Sequence, residues 1–201
     1  MTKADVFLLA GGRSSRMGRE KALLLVEGAT FLERVARAAS PVAARITVVG
    51  REESFGGYPA VPDLRPGLGP LAGIETALAA ATAAAALVIA CDLPLVSTAL
   101  LELLLERAAD SPDQIVVPED AEGRCSPLCA LYPLAARETV ARLLDGGERR
   151  PRALFEAYPT RIVPFAEYRH LPRAEQLLSN VNTPGDYARL VSSCRNGTCD
   201  L

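Results

Sequence analysis

Three short apolar runs, Val6 to Ala10, Ile46 to Val49 and Leu87 to Ala90, each stop at a break and are each followed by a stretch with helical spacing. Runs this short, bounded by glycine or by Cys91-Asp92-Leu93-Pro94, read as buried strands. Behind the N-cap candidate Thr30, residues Phe31, Leu32, Val35, Ala36 and Ala39 repeat at helical spacing until Ser40-Pro41. A second helix is expected over Ile74 to Ala85 and a third over Thr98 to Ala108, capped by Ser97. Each parallel crossover needs a connection of about a helix in length, so this alternation builds a parallel sheet with helices on both faces. The first half is therefore Rossmann-like. Further strands are expected at Gln114 to Pro118, Cys125 to Tyr132 and Ile162 to Pro164, with a helix over Leu134 to Leu144. The segment Pro59 to Gly73 is expected to be irregular, because its core Pro66 to Ala72 is crowded with breakers. The expected fold is α/β: one domain, a three-layer sandwich around a mostly parallel sheet.

Length agrees with one domain, since 201 residues can bury a core without disulfides or metal staples. We place that domain at 1–191 and read 192–201 as a polar, flexible tail. A net charge of −2 leaves no basic field to collect nucleic acid, so nucleic-acid binding is not expected and an anionic small molecule must be met by local cations. Met1 to Asp5 lack the pattern of a signal peptide, and the alanine-rich Ala77 to Ala90 is too short to span a bilayer, so a cytoplasmic protein without membrane contact is expected. The five cysteines form no C-x-x-C pair and are expected to be reduced thiols; Cys194 and Cys199 receive no function. The single histidine, His170, lies in a polar stretch and reads as a surface residue.

The loop after the first strand carries the most chemistry. Leu9-Ala10-Gly11-Gly12 leads into Arg13, Ser14, Ser15, Arg16, Met17, Gly18, Arg19, Glu20 and Lys21. Glycines let backbone N–H groups approach phosphate oxygens, and the cations Arg13, Arg16, Arg19 and Lys21 suit the same oxygens. An ordinary glycine turn with solvated arginines is the competing reading of Gly-Gly alone. The loop is neither a P-loop nor a dinucleotide fingerprint, for it has no Gly-Lys-Ser/Thr and no G-x-G-x-x-G order. Asp92 lies at the carboxyl end of the third strand, where open α/β sheets place ligands. A hard carboxylate there suits Mg²⁺, which commonly takes one or two protein carboxylates together with substrate phosphates. Capping of the next helix is the alternative for Asp92, but Ser97 already fits it. The breaker-rich loop Asp63 to Gly73 can wrap a planar base, with Leu71 covering one face, and a structural turn before the Ile74 helix is the alternative.

The full string Leu-Ala-Gly-Gly-x-Ser-x-Arg-Met-Gly-x-x-Lys resembles the signature of the nucleotidyltransferases that act on sugar phosphates, methylerythritol phosphate and molybdopterin, a family with a nucleotide-diphospho-sugar transferase type of fold. The resemblance implies that Leu9, Ala10, Gly11 and Gly12 line the nucleotide, that Arg16 and Lys21 hold its phosphates, and that Asp92 binds the metal, making Arg16, Lys21 and Asp92 the catalytic set. Three further stretches resemble the molybdenum cofactor guanylyltransferase, or MobA, family: Asp63 with Gly-Pro-Leu-Ala-Gly ending at Gly73, Pro127-Leu128-Cys129-Ala130-Leu131-Tyr132, and Asn180-Val181-Asn182-Thr183-Pro184. They imply that Asp63 and Gly73 join the guanine nucleotide site and that Asn180 and Asn182 face the pterin. A plain Asn/Thr turn capping a helix from Pro184 remains the alternative for the last stretch. Where some members have an asparagine after the second strand, this chain departs with Gly50-Arg51.

The implied reaction is transfer of GMP from GTP to Mo-molybdopterin, with Mg²⁺ as cofactor and pyrophosphate as the leaving group. Transient contact with molybdopterin-delivering proteins and molybdoenzyme chaperones is also implied. Two alternatives stay open: a molybdopterin cytidylyltransferase or other Mg-dependent nucleotidyltransferase, and a binding module without chemistry.

Overall fold

Side chains alternate across the strands, and that alternation sorts the molecule into layers. The computed structural model describes residues 3–10 and 20–194. Strand β1, Ala4–Leu9, is followed by a small antiparallel hairpin, β2 Leu25–Val26 and β3 Ala29–Thr30. Its two-residue turn places Glu27 and Gly28 at φ 51° and 79°, the pair of positive values that a twisted hairpin requires. Helix α1, Phe31–Ala39, opens with a capping box between Thr30 and Glu33. Strand β4, Ala43–Val49, and the short β5, Ala60–Val61, come next, then helix α2, Pro70–Ala80, and strand β6, Ala85–Ala90. Helix α3, Thr98–Ala109, is capped by Ser97. Strands β7, Ile115–Pro118, and β8, Cys129–Pro133, precede helices α4, Arg137–Asp145, and α5, Ala153–Ala157. Strand β9, Thr160–Val163, and helices α6, Phe165–Tyr168, and α7, Pro184–Ser193, complete the chain.

The sheet has seven strands in the order β5-β4-β1-β6-β8-β7-β9. Only β8 pairs antiparallel to its neighbours; the other pairings are parallel. Val6, Leu8, Leu87 and Ile89 pack with α1 and α3 on one face. Phe7, Ala86 and Val88 pack with Leu71, Ile74, Ala77 and Val140 from α2 and α4 on the other. Side chains such as Leu32 and Ile74 are fully buried, each stabilising the fold by about 1.5–3 kcal/mol relative to exposure. The expected three-layer α/β sandwich is what these two faces form.

Several boundaries differ from expectation for local reasons. Helix α2 starts at Pro70, inside the segment expected to be irregular. Proline is tolerated at the first helical position, and Gly69 at φ 79° turns the chain into it. The same helix stops at Ala80 rather than Ala85. There the buried carboxylate of Asp5 accepts from Thr82 N at 2.6 Å and from Ala83 N at 2.9 Å, diverting the backbone from the helical ladder. Strand β8 begins at Cys129, four residues later than expected, because Pro127 has no N–H for a ladder. Of the thiols, Cys91, Cys125 and Cys129 are free as expected, whereas Cys194 is disulfide-bonded, a correction to the reading of every cysteine as reduced. The remaining tail, 195–201 with Cys199, lies outside the described residues. His170 is exposed. No helix among the described residues is long and apolar enough to cross a membrane.

Candidate active site

The carboxyl ends of β1, β4 and β6 converge because the strands run parallel in register, with Leu9 opposite both Val49 and Ala90. A cleft of about 1010 Å³ opens there. Leu9, Ala10, Lys21, Asp63, Gly73 and Asp92, all singled out from the sequence, line it together. Gly11, Gly12 and Arg16 lie outside the described residues, as do Arg13 and Arg19.

Asp92 follows β6 and is held by its backbone: Val181 N donates to the Asp92 carbonyl at 3.0 Å. Its carboxylate is unevenly served. Oδ2 lies 3.9 Å from Lys21 Nζ, while Oδ1 is buried with no hydrogen-bond partner among the described residues. Burial pushes the Asp92 pKa up, and Lys21 only partly offsets it. A buried carboxylate oxygen left without a donor costs stability, and the cost is recovered if a cation or donor arrives with a ligand. Among the described residues no cluster of three or more His, Cys, Asp or Glu could hold a metal by protein ligands alone. Asp92 therefore fits a metal whose other ligands come from substrate and water, the usual arrangement for Mg²⁺. Ser97, whose hydroxyl accepts from Leu100 N, is the α3 cap, so Asp92 is not used for capping.

Lys21 connects two parts of the site. Besides facing Asp92, its ammonium donates to Asn182 Oδ1 at 2.6 Å. Asn182 precedes α7, whose cap is a reciprocal pair between Thr183 and Asp186. Helix α7 in turn rests on the hairpin through Val26, Phe31, Leu95, Val181 and Leu190. The capping alternative for the Asn-Val-Asn-Thr segment is thus realised by Thr183, which leaves the Asn182 side chain for Lys21. Asn180 does not line this cleft. It borders a second cleft of about 930 Å³, together with Asp120, Arg124, Ser126, Arg152 and Arg189. Val181, between the two asparagines, bonds back to the Asp92 carbonyl, so this segment runs between the clefts.

The loop from Asp63 to Gly73 is fastened from outside. Arg65 Nε lies 2.9 Å from Glu75 Oε2 on α2, and Leu64 N donates to Thr76 Oγ1 at 3.0 Å. Pro66, Gly67, Gly69 and Pro70 consequently face the cleft. Leu71 does not cover a base: it is fully buried with Phe7 and Val49 beneath α2, because position two of a helix starting at Pro70 points to the sheet. Apolar lining comes instead from Leu9, Val49 and Leu128. Burial raises the pKa of Asp63, an effect that the charge of Arg51 opposes. Glu20, Val49, Cys91 and Leu128 are lining residues that sequence reasoning did not single out. Leu128 carried a signal in the Pro-Leu-x-Ala-Leu-Tyr stretch, Glu20 stood in the string ending at Lys21, and Cys91 stood beside Asp92.

Comparison with known proteins decides the family. The profile of the MobA-like NTP transferase domain matches residues 6–162. The chain belongs to the MobA-like NTP transferase family. A probable molybdenum cofactor guanylyltransferase of Carboxydothermus hydrogenoformans is 34% identical over 196 residues, covering 95% of this chain and 96% of the relative. The molybdenum cofactor guanylyltransferase of Xanthomonas euvesicatoria pv. vesicatoria is 36% identical over 188 residues, 92% of each chain. Among solved structures, molybdopterin-guanine dinucleotide biosynthesis protein A from Archaeoglobus fulgidus superposes with a TM-score of 0.82 at 27% identity, covering 96% of this chain and 99% of the other. The MobA-like fold thus extends past the matched profile and takes in α7 and the Asn180 to Asn182 segment.

Proposed function

We propose that this nucleotidyltransferase moves GMP from GTP to Mo-molybdopterin, giving the guanine dinucleotide form of the cofactor and pyrophosphate. The observation that carries the reading is the meeting of Asp92 and Lys21, which line the first cleft, with Asn182, whose neighbour Val181 lines the second. A donor in one cleft and an acceptor in the other would present their phosphates to each other at that junction. The names of the relatives support the guanine donor and the pterin acceptor.

A terminal phosphate of the acceptor attacks the α-phosphate of GTP in line, forming one P–O bond as the bond to the pyrophosphate oxygen breaks. That nucleophile is anionic near neutral pH, so the site needs no general base. Positioning and charge stabilisation supply the rate. Lys21 places its ammonium beside the phosphates and, through Asn182, ties the donor side to the acceptor side. Leu9, Ala10 and Gly73, with Gly11 and Gly12 of the loop, form the nucleotide wall, and Asp63 receives the base. Arg16 neutralises leaving charge. Asn180 offers an amide to the pterin edge on the acceptor side. The metal assigned to Asp92 is Mg²⁺, and when bound it supplies charge stabilisation at the α-phosphate. GTP as donor supports a cytoplasmic setting, where proteins that deliver molybdopterin and molybdoenzyme chaperones are the expected transient contacts.

The test is pyrophosphate release by purified protein with Mg²⁺ and Mo-molybdopterin, comparing GTP with CTP, ATP and UTP. Release with GTP alone is expected. Release with CTP alone would keep the fold and mechanism and overturn the guanine assignment, and binding of GTP without release would leave a module without chemistry.

A further inference from the structure

Arg51 lies just beyond β4, and its side chain has an unusual set of neighbours. Its Nη2 donates to the Ala10 carbonyl at 2.8 Å and forms an ion pair with the Glu20 carboxylate. Ala10 and Glu20 stand immediately before and after the segment 11–19 that carries the glycine and arginine string. The guanidinium is stacked on Phe55, with its central carbon 4.7 Å from the ring centroid, and its Nε is buried without a partner among the described residues. Its own backbone is fixed, since Gly50 N and Arg51 N both donate to the Val61 carbonyl of β5. Ala10 and Glu20 line the nucleotide cleft, whereas Arg51 is not among its lining residues.

We propose that Arg51 is a positioning residue that holds Ala10 and Glu20 in the wall of the cleft from outside it, by joining both to the edge of the sheet. The proposal rests on the reading of this cleft as the nucleotide site. Phe55 fixes the plane of the guanidinium, and a planar fork held in that way bridges a carbonyl and a carboxylate with less loss of freedom than an ammonium would. The residue takes the position that follows Gly50, where this chain has no side chain to offer a nucleotide. Its contribution to nucleotide binding is therefore made through Ala10 and Glu20 rather than by contact.

Glu20 separates this brace from simple electrostatics. A carboxylate lining a triphosphate site repels the ligand, so its removal by Glu20→Ala should tighten GTP binding if charge alone matters. The same change should also tighten binding if Arg51 is a direct phosphate ligand that Glu20 occupies. A brace predicts the opposite sign. The experiment is titration of full-length protein with a fluorescent N-methylanthraniloyl GTP in Mg²⁺, alongside thermal unfolding of each variant. For the Glu20→Ala variant we expect about fivefold weaker binding, and for Arg51→Ala about tenfold. The double variant should be no weaker than Arg51→Ala alone, as expected of two groups in one interaction. Arg51→Lys should recover part of the loss, and KM for the pterin acceptor should stay within about twofold throughout. Glu20 is partly exposed, so its variant carries the test even if Arg51→Ala unfolds. Unchanged or tighter GTP binding by the Glu20→Ala variant overturns the brace. If the wild-type protein binds no nucleoside triphosphate, the nucleotide reading falls and the brace with it; if it binds another nucleotide, the same variants are titrated with that one.

Discussion

Gly73 allows stability and nucleotide binding to be separated in one substitution. It sits in the first turns of α2, where alanine is favoured over glycine by about 1 kcal/mol in helix propensity. A Cβ at this position would lie 3.2 Å from Leu9 Cδ1 and 3.3 Å from Leu9 Cδ2. Comfortable carbon contacts are about 3.5–4.0 Å, so Leu9 must withdraw by a few tenths of an ångström. A side chain trapped in the core could not do so, and overpacking would cost about 1–3 kcal/mol. Leu9, however, is only partly buried and borders the cleft, so the open direction is into the cleft. Gly73→Ala should therefore leave the unliganded protein as stable as wild type, or up to about 1 kcal/mol more stable, in urea denaturation. It should weaken GTP about three- to tenfold, equivalent to roughly 0.6–1.4 kcal/mol. Leu9→Val in the same background should restore much of the affinity by shortening the displaced side chain. A loss of stability above about 1 kcal/mol with unchanged GTP affinity would refute this reasoning, since it would mean that Leu9 is rigid and stands apart from the nucleotide.

Asp92→Asn should lower turnover by at least about a thousandfold while leaving stability unchanged or slightly increased, because it removes charge from an oxygen that has no partner; near-normal turnover would remove Asp92 from the site. Lys21→Ala should raise KM for GTP by about ten- to a hundredfold, and unchanged steady-state kinetics would show that the ammonium does not meet the triphosphate. Asp5→Asn should destabilise the protein by about 2–4 kcal/mol at pH 7, because the buried carboxylate accepts from Arg45, Thr82 and Ala83. Burial alone would raise the Asp5 pKa, but the bonds from Ala83, Thr82 and Arg45 outweigh it and the folded value is lowered. A lowered folded pKa gives stability that is complete above the unfolded value of about 3.9 and is lost as pH falls through the folded one. The gap between wild type and Asp5→Asn in urea denaturation should therefore be full at pH 7 and shrink below about pH 4; a gap that stays constant would contradict the assignment.

Much of the fold was legible because β6 and the carboxyl-terminal parts of β1 and β4 are largely apolar and end at breakers, and because Thr30 and Ser97 are strong caps. What was not legible depended on long-range partners. The end of α2 is set by Asp5, whose partners Thr82 and Ala83 are 77 and 78 residues away in sequence, and no local signal in the alanine run marks it. Pro70 and Gly69 were read as breakers when their order, glycine before proline, is the order of a helix start. The hairpin β2–β3 has strands of two residues each, too short for any alternation to register. At the site, Asp63, Lys21 and Asp92 were legible through motif and strand position, and the structure brings them to one cleft. The bond from Lys21 to Asn182 spans most of the chain, and the burial of Leu71 depends on the helix phase set at Pro70, so neither could be read locally.

The central claim is that the chain transfers a nucleoside monophosphate, and label placement tests it most directly. Protein incubated with Mg²⁺, Mo-molybdopterin and GTP labelled at the α-phosphate should yield a labelled pterin dinucleotide, while GTP labelled at the γ-phosphate should put its label wholly into pyrophosphate. Transfer of the γ-label to the pterin, or an unlabelled pterin in both experiments, would contradict the account.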